Sequence, residues 1–363
     1  MAASRLPLAG LRILSLAEQY PGPYATLLLA DLGADVILVE RPGTGDPIRR
    51  FPGLFAALHR NKRSVALDLK SEAGRADFLR LVDTADAVLE GFRPGVMARL
   101  GIGVDALRAR KPSLVFASIS SFGQDGPLAT VAGHDLSIQG VAGMIDVPAG
   151  GEAAATIPKL PLADLASGLF AALGIVTGLL ARERGGGGTM IDVSMLDSVV
   201  SLMTGFLVPA MNALPQRQLP PADPAYGLFA TADGRQITLS IAGEPHMWAE
   251  LCELLGMHGY AHLQEEELGA RRDEILPRLR AAIAQHPHDA LCAQLEQRRI
   301  AFGPVRQLQD VMADSQIAAR GMEVEHGGRR YVRQPLLFDG DGGSVRRGTP
   351  ALGEHNAELL GDG

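Results

Sequence analysis

Three residues have the types and neighbours for acid–base or nucleophilic work. His134 stands in Gly133-His134-Asp135, Asp164 in Leu162-Ala163-Asp164-Leu165-Ala166-Ser167-Gly168, and Glu244 in Gly243-Glu244-Pro245-His246. An imidazole takes or gives a proton near neutrality, and a carboxylate serves as proton carrier or as nucleophile. Together these types suit proton transfer or acyl transfer. Each also has a plainer reading. Asp164 occupies the place of an N-cap or first-turn residue, and taken locally capping is the better account. His134 lies between a loop and an apolar segment, as a hydrogen-bonded core histidine would. Glu244 follows a strand and would ordinarily cap the next helix.

Basic residues gather at three turns beside strand-like runs: Glu40-Arg41-Pro42-Gly43, Arg60-Asn61-Lys62-Arg63 and Gly91-Phe92-Arg93-Pro94-Gly95. One such cluster alone is solvated surface. Three converging on one sheet edge suggest a site for a phosphorylated, adenine-bearing ligand, since Arg pairs with phosphate and stacks on rings. The first strand-to-helix turn is Pro21-Gly22-Pro23, with no GxGxxG, which argues against a nicotinamide-dependent dehydrogenase. No GxSxG elbow supports a serine triad. Gly185–Gly188 lacks a trailing Lys-Ser/Thr and reads as a turn after a helix.

These residues need elements to hold them. Strand and helix signals alternate over the first part of the chain: Leu11–Leu16, a helix over 24–32 closed by Gly33, Val36–Glu40, Ser64–Leu69, Ala87–Glu90 and Leu114–Ser118. Such alternation implies parallel pairing with right-handed crossovers, hence a Rossmann-like α/β sheet. A long helix runs over 164–182, then a short strand from Met190 and an apolar helical stretch to Leu214. The apolar runs Leu169–Ala181 and Val199–Leu214 read as buried helices, the first too short and the second too interrupted to span a bilayer. A hairpin turns at Asp233-Gly234. The expected organisation is a large α/β domain over 1–215, a linker at 216–221, a smaller α+β domain over 222–320, and a tail, 321–363, returning to the large domain.

Composition narrows the class. Of 363 residues 47% are hydrophobic and 21% charged, ordinary for a globular chain. The 43 Gly and 23 Pro follow no period, which suits tight turns rather than fibre or disorder. A net charge of −7 speaks against a nucleic-acid binder. Cys252 and Cys292, without metal-like spacing, predict neither disulfide nor metal site, so the cytoplasm is the expected compartment and no membrane partner is expected.

In order along the chain, LAGLRILSLAEQYPGPYATLLLADLGADVILVERPGTGDPIR, NKRSVALDLKSEAG, LEGFRPGVMARLGIG, FASISSFGQDGPLA, GHDLSIQGVAGM, LADLASGLFAALGI, GTMIDVSMLDSVVSL, YGLFATADGRQITLSIAGEP and TPALGEHNAELL resemble the family III CoA-transferase group over nearly the whole length. The resemblance implies a Rossmann-like large domain, a small domain and an interlocked homodimer. It implies an acyl-CoA thioester as substrate, with no cofactor beyond coenzyme A itself. CoA would lie on the large domain, with Arg41 near the adenine and the Arg93 loop near the phosphates; Arg60, Lys62, Arg63 and Arg99 complete the candidate set. The active site would form between one subunit's large domain and the other's small domain.

Two chemistries are compatible with this group. His134, Asp164 and Glu244 together are similar to the α-methylacyl-CoA racemases, and racemisation is the first expectation. His134 and Asp164 would then exchange the α-proton on opposite faces, and Glu244 would orient the imidazole. The enolate would be met by N–H groups at the start of the Asp164 helix. The continuation Leu136-Ser137-Ile138-Gln139 is similar to transferases, in which the residue matching Asp164 is a nucleophile that passes through an anhydride and an aspartyl-CoA thioester.

Overall fold

The computed structural model describes residues 6–145, 157–215 and 223–361. Its contacts divide the chain into two units, Met1–Gly205 with Gln316–Gly363, and Phe206–Ser315. The expected linker at 216–221 lies outside the described residues.

The first unit is built on six strands: β1 (Arg12–Leu16), β2 (Asp35–Glu40), β3 (Lys62–Ala66), β4 (Ala87–Glu90), β5 (Val115–Ser120) and β6 (Met190–Ser194). They pair in the order β3-β2-β1-β4-β5-β6, every pair parallel. This is the doubly wound α/β arrangement expected from the alternating signals. Both faces are covered, so the strands are buried almost throughout. Alternate residues serve opposite cores: Ile13, Val36 and Leu89 face one, Leu14, Ile37 and Val88 the other.

Helices α1 (Pro21–Asp31), α2 (Pro52–Leu58), α3 (Glu72–Thr84), α4 (Val96–Arg99), α5 (Val104–Arg110) and α6 (Asp135–Val141) precede a long α7 (Leu162–Ala181). Pro21 starts α1, where a missing N–H costs nothing. α7 packs on α1, β5 and β6. Among the described residues it is long and apolar enough to cross a membrane, yet half of it is buried inside the unit. It is therefore not the wholly buried helix expected: Leu169, Leu173 and Leu180 form an exposed stripe. The apolar stretch after β6 also departs from expectation. It forms two helices, α8 (Met195–Leu202) and α9 (Thr204–Met211), and α9 buries no residue.

A crevice opens where strand order reverses, between β1 and β4, at the carboxyl ends of the strands. The tail re-enters this unit at the opposite edge. There Asn61 receives the N–H groups of Arg346 and Arg347 at 2.6 and 3.0 Å, and its own N–H reaches the Arg347 carbonyl at 2.9 Å.

The second unit has an antiparallel sheet of β7 (Tyr226–Ala230), β8 (Gln236–Ser240) and β9 (Phe302–Pro304). The β7–β8 turn falls at Asp233-Gly234, as expected. Its helices are α10 (Pro245–Leu254), α11 (Glu265–Ala270), α12 (Arg272–Ile283) and α13 (His288–Gln297). They enclose a core around Trp248, whose indole N–H donates to the Tyr260 carbonyl at 2.8 Å.

Candidate active site

A cavity of about 270 Å³ occupies the crevice between β1 and β4. Its walls are the turn after β1 (residues 17–22), the loop after β4 (91–94), the end of β5, the segment ending at His134, and Met195 on α8. His134 and Asp164 both line it. Asp164 comes from the first turn of α7, which lies close against the start of α1. Gly168 permits that approach: a Cβ there would sit 2.7 Å from the Pro21 carbonyl oxygen and 3.1 Å from the Tyr24 ring. The absence of one methyl group therefore sets the distance between Asp164 and the turn after β1.

His134 is neither a core histidine nor a side-chain cap. It precedes α6 in extended conformation, is exposed, and makes no capping bond. Asp164 does not cap its own helix either. The cap comes from Asp135, whose Oδ1 accepts the N–H of Ala163 at 2.7 Å and of Asp164 at 3.3 Å. Asp135 Oδ2 in turn accepts from the buried Gln139 amide at 2.7 Å. This corrects the expected enolate site. Those N–H groups already satisfy a carboxylate, and the positive end of the α7 dipole is compensated by it. The same arrangement frees the Asp164 carboxyl for the cavity, where burial, and secondarily the Asp135 charge, push it up to about 7.

Two further carboxylates are tuned nearby. Glu90, at the end of β4, accepts from the Phe92 N–H at 2.7 Å and from the Ser118 hydroxyl, pinning the start of the Arg93 loop. Burial pushes it up to about 7 against those two bonds. Glu18 lines the cavity and pairs with Arg41 at 3.2 Å; burial raises it, with Arg41 opposing. Neither was picked out from sequence, nor were Asp135 and Gln19. A signal existed for Glu90: a carboxylate ending the buried strand Ala87-Val88-Leu89 is costly to bury unless partnered.

The candidate cations separate into two sets. Arg93 lines the cavity and is exposed, Arg99 is exposed on α4, and exposed Arg41 follows β2; all three stand at the carboxyl edge. Arg60, Lys62 and Arg63 do not join them, which corrects the expected convergence. They precede and open β3, so strand polarity puts them at the amino edge. Arg60 is buried against Asp31 at 2.6 Å and the Val332 carbonyl at 2.8 Å. Lys62 is fully buried, donating to the Pro23 carbonyl and the Thr26 hydroxyl at 2.9 and 2.8 Å. Arg63 is paired with Asp35 and with Glu358.

Glu244 belongs to the second unit. It stands at the start of α10 without capping it; its Oε2 turns back to the Ala242 N–H at 2.7 Å. No group of His, Cys, Asp and Glu suited to a metal ion occurs among the described residues.

A parallel sheet with a cavity at its switch point, a desolvated carboxyl in that cavity and an arginine on a flanking loop has the form of an α/β enzyme's site. The chain belongs to CoA-transferase family III, whose model matches residues 8–356. It is 32% identical to acetyl-CoA:oxalate CoA-transferase of Acetobacter aceti, over 97% of this chain and 95% of the relative. It is 30% identical to succinate–glutarate CoA-transferase of Agrobacterium fabrum, over 98% and 95%. The crystal structure of a CAIB/BAIF family protein from Brucella suis superposes with a TM-score of 0.87 at 31% identity, covering 98% of this chain and 100% of that one. The racemase chemistry read first from the sequence is not reflected in the names of these relatives.

Proposed function

We propose that this enzyme moves coenzyme A between carboxylic acids, with Asp164 as the nucleophile. The observation that carries the reading is the Asp164 carboxyl: free of capping duty, facing the cavity, and beside the Arg93 loop. With its carboxyl at about 7, a large share is ionised near neutrality. The carboxylate attacks the thioester carbonyl of the donor acyl-CoA, the C–S bond breaks, and CoA thiolate leaves an acyl-aspartyl anhydride. Thiolate then attacks the aspartyl carbonyl, releasing the donor acid and leaving aspartyl-CoA. An incoming carboxylate reverses both steps and departs as the new acyl-CoA. Arg93 is proposed to hold CoA phosphate, with Arg41 and Arg99 beside it. Coenzyme A enters with the substrate, and the scheme requires no other cofactor.

His134 shares the cavity, so α-proton transfer is tested in the same experiment. The enzyme is incubated with a 2-methylacyl-CoA and an acceptor acid in D₂O; one portion is quenched with acid to read the thioesters, and another with hydroxylamine to trap the enzyme adduct. New acyl-CoA, with Asp164 converted to its hydroxamate and Cα still protonated, is the expected result. Deuterium at Cα without a new thioester overturns the transferase reading in favour of racemisation. Self-association is also proposed, because the Leu169, Leu173 and Leu180 stripe leaves apolar surface on α7.

A further inference from the structure

We infer that Asp46 is a positioning residue, holding the Gln19 backbone in the left-handed conformation that places the β1 turn against the Asp164 cavity. The inference rests on the transferase reading for its activity test. Gln19 has φ +69°, a region that side-chain-bearing residues seldom occupy without support. It lines the cavity between Glu18 and the start of α1. The support comes from the segment after β2. Asp46 is buried, and its two oxygens lie 3.1 and 3.3 Å from the Gln19 nitrogen, accepting its N–H.

Asp46 is itself fixed from two sides, with His59 beside it. Its Oδ1 also accepts the Ile48 N–H at 2.9 Å, capping the short helical turn Pro47–Arg50. Its own N–H donates to Glu40 at 2.9 Å, and Glu40 is clamped by Arg49 at 2.6 Å and by the Ser64 hydroxyl at 2.6 Å. His59 Nε2 stands 3.6 Å from Oδ2. Burial, and then the Lys62 charge, hold His59 down to about 4, so a neutral ring faces the carboxylate. The Gln19 N–H is thus held by both oxygens of a buried side chain whose own position is set by the segment after β2.

The same segment holds the neighbouring residue too, since Arg41 pairs with Glu18 at 3.2 Å. Two consecutive residues of the cavity wall are therefore gripped by one loop, one through its side chain and one through its backbone. The loop expected to carry a CoA-contacting arginine consequently also sets part of the wall of the cavity that holds Asp164.

Asp46→Ser tests this, because serine keeps a cap for Ile48 but is too short to reach Gln19. Asp46→Asn retains an acceptor for Gln19 and is the conservative control. Asp46→Ser is expected to lower kcat for CoA transfer about tenfold with the acyl-CoA KM within about twofold, as a displaced wall would. Asp46→Asn should stay near the parent. Glycine adopts positive φ unaided, so in a Gln19→Gly background Asp46→Ser should cost less than about twofold. Equal losses in the two backgrounds overturn the inference. A second readout needs no turnover: amide exchange across residues 17–22 should accelerate in Asp46→Ser and not in Asp46→Asn, and unchanged exchange in Asp46→Ser overturns the inference as well. If the parent transfers no CoA, the transferase reading fails, and the exchange measurement decides the role of Asp46 by itself.

Discussion

At the amino edge of the six-stranded sheet, Arg60, Lys62 and Arg63 are folded in against carboxylates, carbonyls and a hydroxyl. At the carboxyl edge Arg93 and Arg99 stand exposed, while Glu18, Glu90 and Asp164 are the groups kept from water. The residue types are alike and their treatment is opposite. One edge matches charge to charge and becomes scaffold. At the other, Arg49 likewise clamps Glu40, but around the cavity Arg93 stays exposed and the Glu18, Glu90 and Asp164 carboxyls are raised, the combination a reactive site would need. Direction of travel along the strands makes the difference, because crossover loops at one edge lead into helix N-termini and at the other receive helix ends.

The largest effect expected from this contrast is at Asp164. Asp164→Asn should reduce CoA transfer by about 10³-fold or more while the protein stays folded, since it removes the bond-forming atom. A residual rate near the parent's would move the nucleophile elsewhere. At the scaffold edge, Arg60→Ala removes the guanidinium from buried Asp31 and leaves it the neutral Asn61 amide at 2.8 Å. Urea unfolding should register a loss of about 3 kcal/mol, with the acyl-CoA KM of the folded fraction unchanged. Arg93→Ala should do the reverse, raising the acyl-CoA KM about tenfold and shifting stability by no more than about 0.5 kcal/mol. If Arg93→Ala destabilises and Arg60→Ala weakens substrate binding, the division between the edges is wrong.

The smallest expected effect is on stability against pH. The Asp164 carboxyl is raised from its ordinary 3.8 to about 7, so folding favours the protonated form. Its contribution is full below about pH 4 and fades as pH rises through 7. Asp164→Asn should therefore melt about 2 °C or more above the parent at pH 8, with the two converging near pH 4. Transfer by the parent should climb over the same interval as the carboxylate forms. A variant no more stable at pH 8 than at pH 4, relative to the parent, would show that the site does not strain this carboxyl.

Much of the fold was legible because its signals are local. The β1–α1–β2 unit, the closing Gly33 and the Asp233-Gly234 hairpin each follow from short patterns of apolar, turn and glycine residues. The apolar runs were less faithful guides. Apolarity says that a surface avoids water without saying what covers it, so α7 keeps an exposed leucine stripe and α9 buries nothing. Of the candidate site, His134, Asp164 and Arg93 were singled out by type and neighbourhood, and they line one cavity. Asp135 was visible beside His134, but its task is performed on another helix.

What the sequence determined by itself is the alternation of elements, the family, and the residues able to do chemistry. Each of these is a property of short windows or of their order. Tertiary structure decided which charges are scaffold and which are site. It turned Asp135 into the cap of α7, set aside Arg60, Lys62 and Arg63, and brought Asp46 to the backbone of Gln19. Those assignments depend on strand polarity, on burial and on contacts between residues far apart in the chain, and no local pattern carries that information.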